Sequence, residues 1–221
     1  MNFKLQEKIS LCLCLTFLSA PITGFAQPNK VDEADYLSSS EKSVVREINI
    51  ARTAPKRYAS SLEKWRAYYD AKLLKLPGEV PIQTKEGVGA VVEAIRYLRS
   101  QNPVPLLSPS RGMSLGAKDH VKDQGSSGSS EHQGRDGSQP WDRVNRYGTW
   151  QKTIGENISL GHDKSEPIVM SFIVDDGVPS RGHRKNILNP DFRVIGVDCG
   201  PHATDGTICV ITFAGGYHEK N

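Results

Sequence analysis

Apolar residues recur at three- and four-residue intervals through the first half of the chain and gather into short runs towards its end. Val44, Val45, Ile48 and Ala51 follow Ser38-Ser39-Ser40-Glu41, which reads as a capped helix start. Pro55 opens a second predicted helix carrying Tyr58, Leu62, Trp65 and Tyr69. A Pro- and Gly-containing loop is expected from about Pro77 to Gln83. Glu86 to Ser100 then places Val88, Val91, Val92, Ile95 and Leu98 on one face of a third helix. A further helix is expected from about Ser110 to Gln124. Short helices at Trp141–Tyr147 and Glu166–Val174 flank a strand at Ile154–Leu160. The runs Val194–Val197 and Ile208–Phe213, on either side of a Gly- and Pro-rich turn, read as a hairpin.

Helices come first, and short strands interleaved with helices follow. That order predicts an α+β fold, with a small sheet covered by helices on both faces. The aromatic and aliphatic positions are read as core. One stretch breaks the pattern. Gly125 to Gln139 is rich in Ser and Gly, as a flexible linker is, yet it carries Glu131, His132, Arg135 and Asp136. A loop of that length with that chemistry is read as functional.

The chain has 221 residues and a net charge of +3, with 37% hydrophobic and 24% charged residues. These values suit one globular domain. Lys and Arg are scattered, so nothing predicts a nucleic-acid partner, and attraction to an anionic membrane is weak. The first 26 residues stand apart from the fold. Lys4 and Lys8 precede an apolar run from Ile9 to about Leu18, broken by Pro21 and Gly24. Small residues at Gly24-Phe25-Ala26 predict signal-peptide cleavage after Ala26. The run falls short of the roughly 20 residues a spanning helix needs, so no stable membrane insertion is expected after cleavage. Residues 27–37 read as a polar leader and 38–221 as the domain. A secreted or periplasmic location follows. Cys12 and Cys14 leave with the signal. Cys199 and Cys209 lie across the hairpin, where a disulfide is expected in an oxidising compartment.

The candidate chemistry lies in Gly155-Glu156-Asn157-Ile158, in Asp175-Asp176 through Gly182-His183-Arg184-Lys185-Asn186-Ile187-Leu188, and in His132. Two imidazoles with two or three carboxylates suit metal binding or acid–base work. These segments resemble the motifs of the CAP superfamily of cysteine-rich secretory, antigen 5 and pathogenesis-related proteins, in its bacterial exported, SCP-like branch. The likeness extends to Ile48-Asn49-Ile50-Ala51-Arg52 with Pro55, to Leu115-Gly116-Ala117-Lys118-Asp119-His120, to Asp136-Gly137-Ser138, and to Phe192 with Ile195-Gly196-Val197. Together the matches cover roughly residues 38–217.

The resemblance implies a three-layer α–β–α sandwich around a small, mostly antiparallel sheet. It also implies a cleft tetrad formed by His132, Glu156, Asp175 and His183, able to hold a divalent cation, with zinc expected first. Asp175 stands where the family usually has Glu, and Asp176 beside it competes for the place. His120 is read as core or as a support for the site. His202 is either exposed or on the cleft rim. The function implied is that of a binding module for a lipid, sterol or protein ligand. A metal-dependent hydrolase or peptidase using the same cleft is the alternative. A Ser180/His183 pair is a weaker one, since no nucleophile elbow accompanies it.

Overall fold

The computed structural model describes residues 30–220. The predicted signal segment, with Cys12 and Cys14, lies outside the described residues. Helix α1 (Lys30–Glu33) is a single turn whose Val31, together with Ala34 and Leu37, is buried in the core. Helix α2 (Ser39–Thr53) starts where the sequence places it. The Ser38 hydroxyl accepts from Glu41 N–H while the Glu41 carboxylate accepts from Ser38 N–H, a reciprocal cap. Helix α3 (Pro55–Arg66) follows with proline in its first turn.

Strands β1 (Tyr69–Asp70), β2 (Leu73–Leu74) and β3 (Ile82–Gln83) form a small antiparallel meander. Tyr69, expected on the second helix, therefore lies in the meander. Next come α4 (Val88–Ser100), β4 (Ser108–Pro109) and α5 (Arg111–Ser127). Helix α6 (Pro140–Asn145), β5 (Gly148–Leu160), α7 (Ser165–Val174), α8 (Gly182–Leu188), β6 (Val194–His202) and β7 (Gly206–Glu219) complete the chain. The main sheet has the order β4-β6-β7-β5 and is antiparallel except for the short β4–β6 pair.

Alternation along the strands builds the three layers. Ile195, Val197, Cys209, Ile211 and Phe213 face a large core shared with α2, α3, α4, α7 and α8. Ile208 and Val210 face Ala117 and Val121 of α5, while Ala214 meets Met113 of α5 and Val144 of α6. The α–β–α sandwich is therefore present. Gly196 sits where α5 crosses β6: a Cβ there would lie 2.3 Å from the Met113 carbonyl carbon, so only glycine lets the layers meet.

Two buried arginines tie the helices down. Arg52 is fully buried and donates to four carbonyls, those of Pro105, Ile187, Asn189 and Phe192. Desolvation lowers its pKa to about 10, still well above neutral, so it stays charged. It holds the C-terminal carbonyls of α8 against α2. Arg184 of α8 donates to the Ile173 and Val174 carbonyls and forms a two-bond pair with Glu93 of α4. It fixes the end of α7 beside α8. Cys199 and Cys209 are directly opposed on β6 and β7, 4.1 Å apart at Cα, and form the expected disulfide.

Candidate functional site

The structure brings the four candidate residues together as two pairs. His132 Nδ1 lies 2.9 Å from Glu156 Oε1, and His183 Nδ1 lies 2.7 Å from Asp175 Oδ1. In each pair a carboxylate oxygen is placed to accept from Nδ1–H, so that the hydrogen bond of the pair engages Nδ1 and not Nε2. That arrangement sets the tautomer and orientation of an imidazole.

Strand β5 separates the pairs. Ile154, Ile158 and Leu160 pack on the α5–α6 side, and Glu156 alternates with them onto that same face. Asn157 points the other way, donating to the His183 carbonyl at 3.1 Å and accepting from Asn186 at 2.9 Å. Asn186 also donates to the Glu156 carbonyl at 3.3 Å, so α8 is stitched to this edge strand. The His183–Asp175 pair thus belongs to the α7–α8 layer. The His132–Glu156 pair belongs to the opposite layer.

Asp175 is placed by a sharp turn. It ends α7 in the left-handed region, with φ at 55°, and is buried. Its second oxygen accepts from the backbone N–H groups of His183 and Arg184 at 2.9 and 3.3 Å. Asp176 turns away and accepts from the backbone of Lys85, Glu86 and Gly87 at 2.6, 2.7 and 3.2 Å. Of the adjacent acids, Asp175 holds the imidazole and Asp176 holds the chain that follows the meander. The His183 ring packs against Phe172, centroids 5.4 Å apart. It lines a groove of about 260 Å³ walled by Trp65, Tyr69, Leu74, Ile82 and Phe172. His162 also lines it, and burial keeps that imidazole below the ordinary histidine range.

The other pair sits beside a separate hollow of about 240 Å³ shared with Gln139, Trp141 and Ile154. Here the sequence reading missed a residue. Arg143 of α6 donates to Glu156 Oε2 at 2.8 Å, both side chains being 2% exposed, and also to the Ser138 carbonyl at 2.9 Å. His120 comes within 3.8 Å of Glu156 through an Nε2 that also lies 2.9 Å from the Glu131 carbonyl. Burial lowers the His120 pKa, against the pull of Glu156, so it is neutral at neutral pH. Its Nδ1, like Arg143 Nε, has no hydrogen-bond partner among the described residues. His202 is buried rather than on the rim. Its Nε2 lies 2.9 Å from the Ser129 carbonyl, which pins the loop that leads to His132.

A four-ligand shell is not assembled among the described residues, where no group of three or more His, Cys, Asp or Glu side chains is placed to hold a metal ion. The donors explain why. Glu156 is committed to Arg143 and His132, Asp175 is committed to three N–H groups, and the two pairs serve opposite faces of β5. The expected zinc tetrad therefore does not fit this side-chain arrangement, in which both carboxylates are already engaged.

A sandwich with Gly155-Glu156-Asn157 inside β5 and Gly182-His183-Arg184 opening α8 defines the class. The model of the CAP, or cysteine-rich secretory protein, family matches residues 92–213, more than half of the chain, and the chain belongs to that family. It is 32% identical over 125 residues to the uncharacterized protein YkwD of Bacillus subtilis, across 57% of this chain and 46% of that protein. The match spans about half the length of that relative. Among solved structures, an outer surface protein of Borrelia burgdorferi is similar at 20% identity and a TM-score of 0.43, over 53% of this chain and 80% of that one. An extracellular SCP-domain protein of Bacillus anthracis is similar at 22% identity and a TM-score of 0.40, over 57% and 37%.

Proposed function

We propose that this chain is an exported recognition module whose groove beside His183 takes one apolar group and reads a polar atom attached to it. One observation carries the proposal. His183, oriented by Asp175 and backed by Phe172, lines a groove of about 260 Å³ whose walls include the apolar Trp65, Tyr69, Leu74, Ile82 and Ile158 and the polar Gln83, Thr84 and His162. Apolar and aromatic walls with a small number of placed polar groups are the usual make-up of a small-ligand site. The volume is just under the roughly 300 Å³ at which drug-sized pockets begin. It suits an acyl tail or a bulky protein side chain better than a fused-ring sterol. Export is supported by the Cys199–Cys209 disulfide, which persists in oxidising compartments. No helix among the described residues is long and apolar enough to cross a membrane.

Titration calorimetry with decanoate, decanol and an apolar pentapeptide tests the reading. At least one is expected to bind, and Leu74→Trp, which fills the groove, should abolish that binding. His183→Ala is expected to weaken it about tenfold, the loss of one hydrogen bond to an oriented group. Binding that survives Leu74→Trp unchanged would move the ligand elsewhere. Chelator-sensitive hydrolysis of any of these classes would replace the module with an enzyme.

A further inference from the structure

We infer that Arg143 occupies the electrostatic place that a divalent cation would take beside Glu156, so that this half of the cleft is held together without metal. The inference stands apart from the groove reading. It concerns the opposite face of β5 and survives a groove that binds nothing.

Glu156 is a buried carboxylate, and such a group requires a positive or donating partner. A cation shared with two histidines is one way to supply it. Here the partner is a guanidinium already in place, 2.8 Å from Oε2 and as deeply buried as the acid. Helix α6 delivers it. Pro140 opens that helix, the Asp142 carboxylate accepts from the Gln139 N–H at its start, and Val144 packs on Met113 and Ala214. The second guanidinium nitrogen donates to the Ser138 carbonyl, so the same side chain also fastens the end of the 128–139 loop.

The remaining oxygen, Oε1, takes the His132 proton. His120 leaves Oε1 to His132, because its Nε2 lies 2.9 Å from the Glu131 carbonyl and 3.8 Å from Glu156. A cation entering this half would therefore meet a fixed positive charge in a region of low dielectric, with no free carboxylate oxygen to offset it. Among the described residues Arg143 and Glu156 form a closed ion pair, with His132 as its outward-facing end.

The test is equilibrium dialysis of the purified chain against zinc chloride, with metal counted by elemental analysis. Each protein is compared with the same protein carrying His132→Ala, so that only zinc depending on His132 is scored. His132 is half-exposed, so its removal leaves the fold intact. The wild-type chain is expected to show no His132-dependent zinc and no change of melting temperature with chelator. Arg143→Gln keeps the length of the donor but removes the charge. It is expected to gain His132-dependent zinc affinity by about tenfold to hundredfold, the range that groups around a metal commonly control. One equivalent of His132-dependent zinc in the wild-type chain overturns the inference. So does an Arg143→Gln chain that folds and gains none. If Arg143→Gln fails to fold, Arg143→Lys decides. It retains the charge and should match the wild type, and His132-dependent zinc in that variant would show that the positive charge does not exclude the ion.

Discussion

The carboxylates of Glu86 and Asp176 brace two chain segments against each other. The Asp176 carboxylate accepts the Glu86 N–H at 2.7 Å, and the Glu86 carboxylate accepts the Gly177 N–H at 2.8 Å. Arg181 then takes both Glu86 oxygens, at 2.6 and 2.7 Å. This latch fastens the chain between the meander and α4 to the turn that carries Asp175 and His183. Asp176→Ala should cost about 1–2 kcal/mol, since its bonds are partly solvated. Hydrogen exchange at Lys85, Glu86 and Gly87 should quicken, while amides of β7 stay protected. Hydrogen bonding from Arg181, then the Gly177 N–H, lowers the Glu86 pKa to about 2. A lowered acid contributes stability that is complete above its ordinary value of 4.5 and is lost as pH falls towards 2. The same amides should therefore lose protection across that acid window.

Arg52→Lys should cost about 3 kcal/mol. A single ammonium cannot reach four carbonyls spread over three segments, and those left behind stay buried. For a chain of this size the melting temperature should fall by roughly 10 °C. A loss of only a degree or two would mean that water replaces the guanidinium.

Asp198 gives stability an opposite pH dependence. Burial, then the nearby Glu41, raises its pKa to about 6, with Lys118 and Lys122 pulling it down. A raised acid binds more protons folded than unfolded between its ordinary 3.8 and about 6. Stability therefore declines as pH rises through that window and stays lower above it. Because Asp198 is only half-buried, solvent screening leaves an effect on the order of 1 kcal/mol. Asp198→Asn should remove the decline, as measured by urea denaturation at pH 4 and pH 7.

Reduction of Cys199–Cys209 opens a link across a sequence separation of 10 residues. The loop-entropy relation gives about 2–3 kcal/mol for a loop of that size. The hairpin turn carries His202, which holds the Ser129 carbonyl. Reduced protein should therefore melt lower, and the 129–132 loop should exchange faster than the α2 amides.

Much of the fold could be read from periodicity, because α2, α4 and α5 bury regular faces and announce their starts with Ser38 and Ser110. The meander could not. Its strands are two residues long, too short for any alternation to show: only β3 falls in the loop expected from Pro77 to Gln83, and Tyr69 of β1 reads as part of the preceding helix. The Gly- and Ser-rich stretch misled in part. Helix α5 continues to Ser127, and Gly125 is buried where a Cβ would lie 2.4 Å from the Pro201 carbonyl oxygen. There glycine serves packing rather than flexibility.

At the site, motif order led to both His–acid pairs, because His132, Glu156 and His183 lie in segments with recognisable neighbours. Choosing between Asp175 and Asp176 was beyond sequence, since a left-handed backbone at the first acid sends the two carboxylates apart. Arg143 gave no signal at all. An arginine on a short polar helix reads as solvated, and only tertiary placement buries it against Glu156. The layer to which each pair belongs was equally hidden, because the side chains of Glu156 and Asn157 leave β5 on opposite faces.

That last property leaves the two halves free to evolve separately. A drift of α5 and α6 can rebuild or erase the arginine-bound half without disturbing Asp175 and His183. Changes in α7, α8 or the meander can retune the groove while the Glu156 half stays as it is. Descendants of this fold can thus lose one half while keeping the geometry of the other.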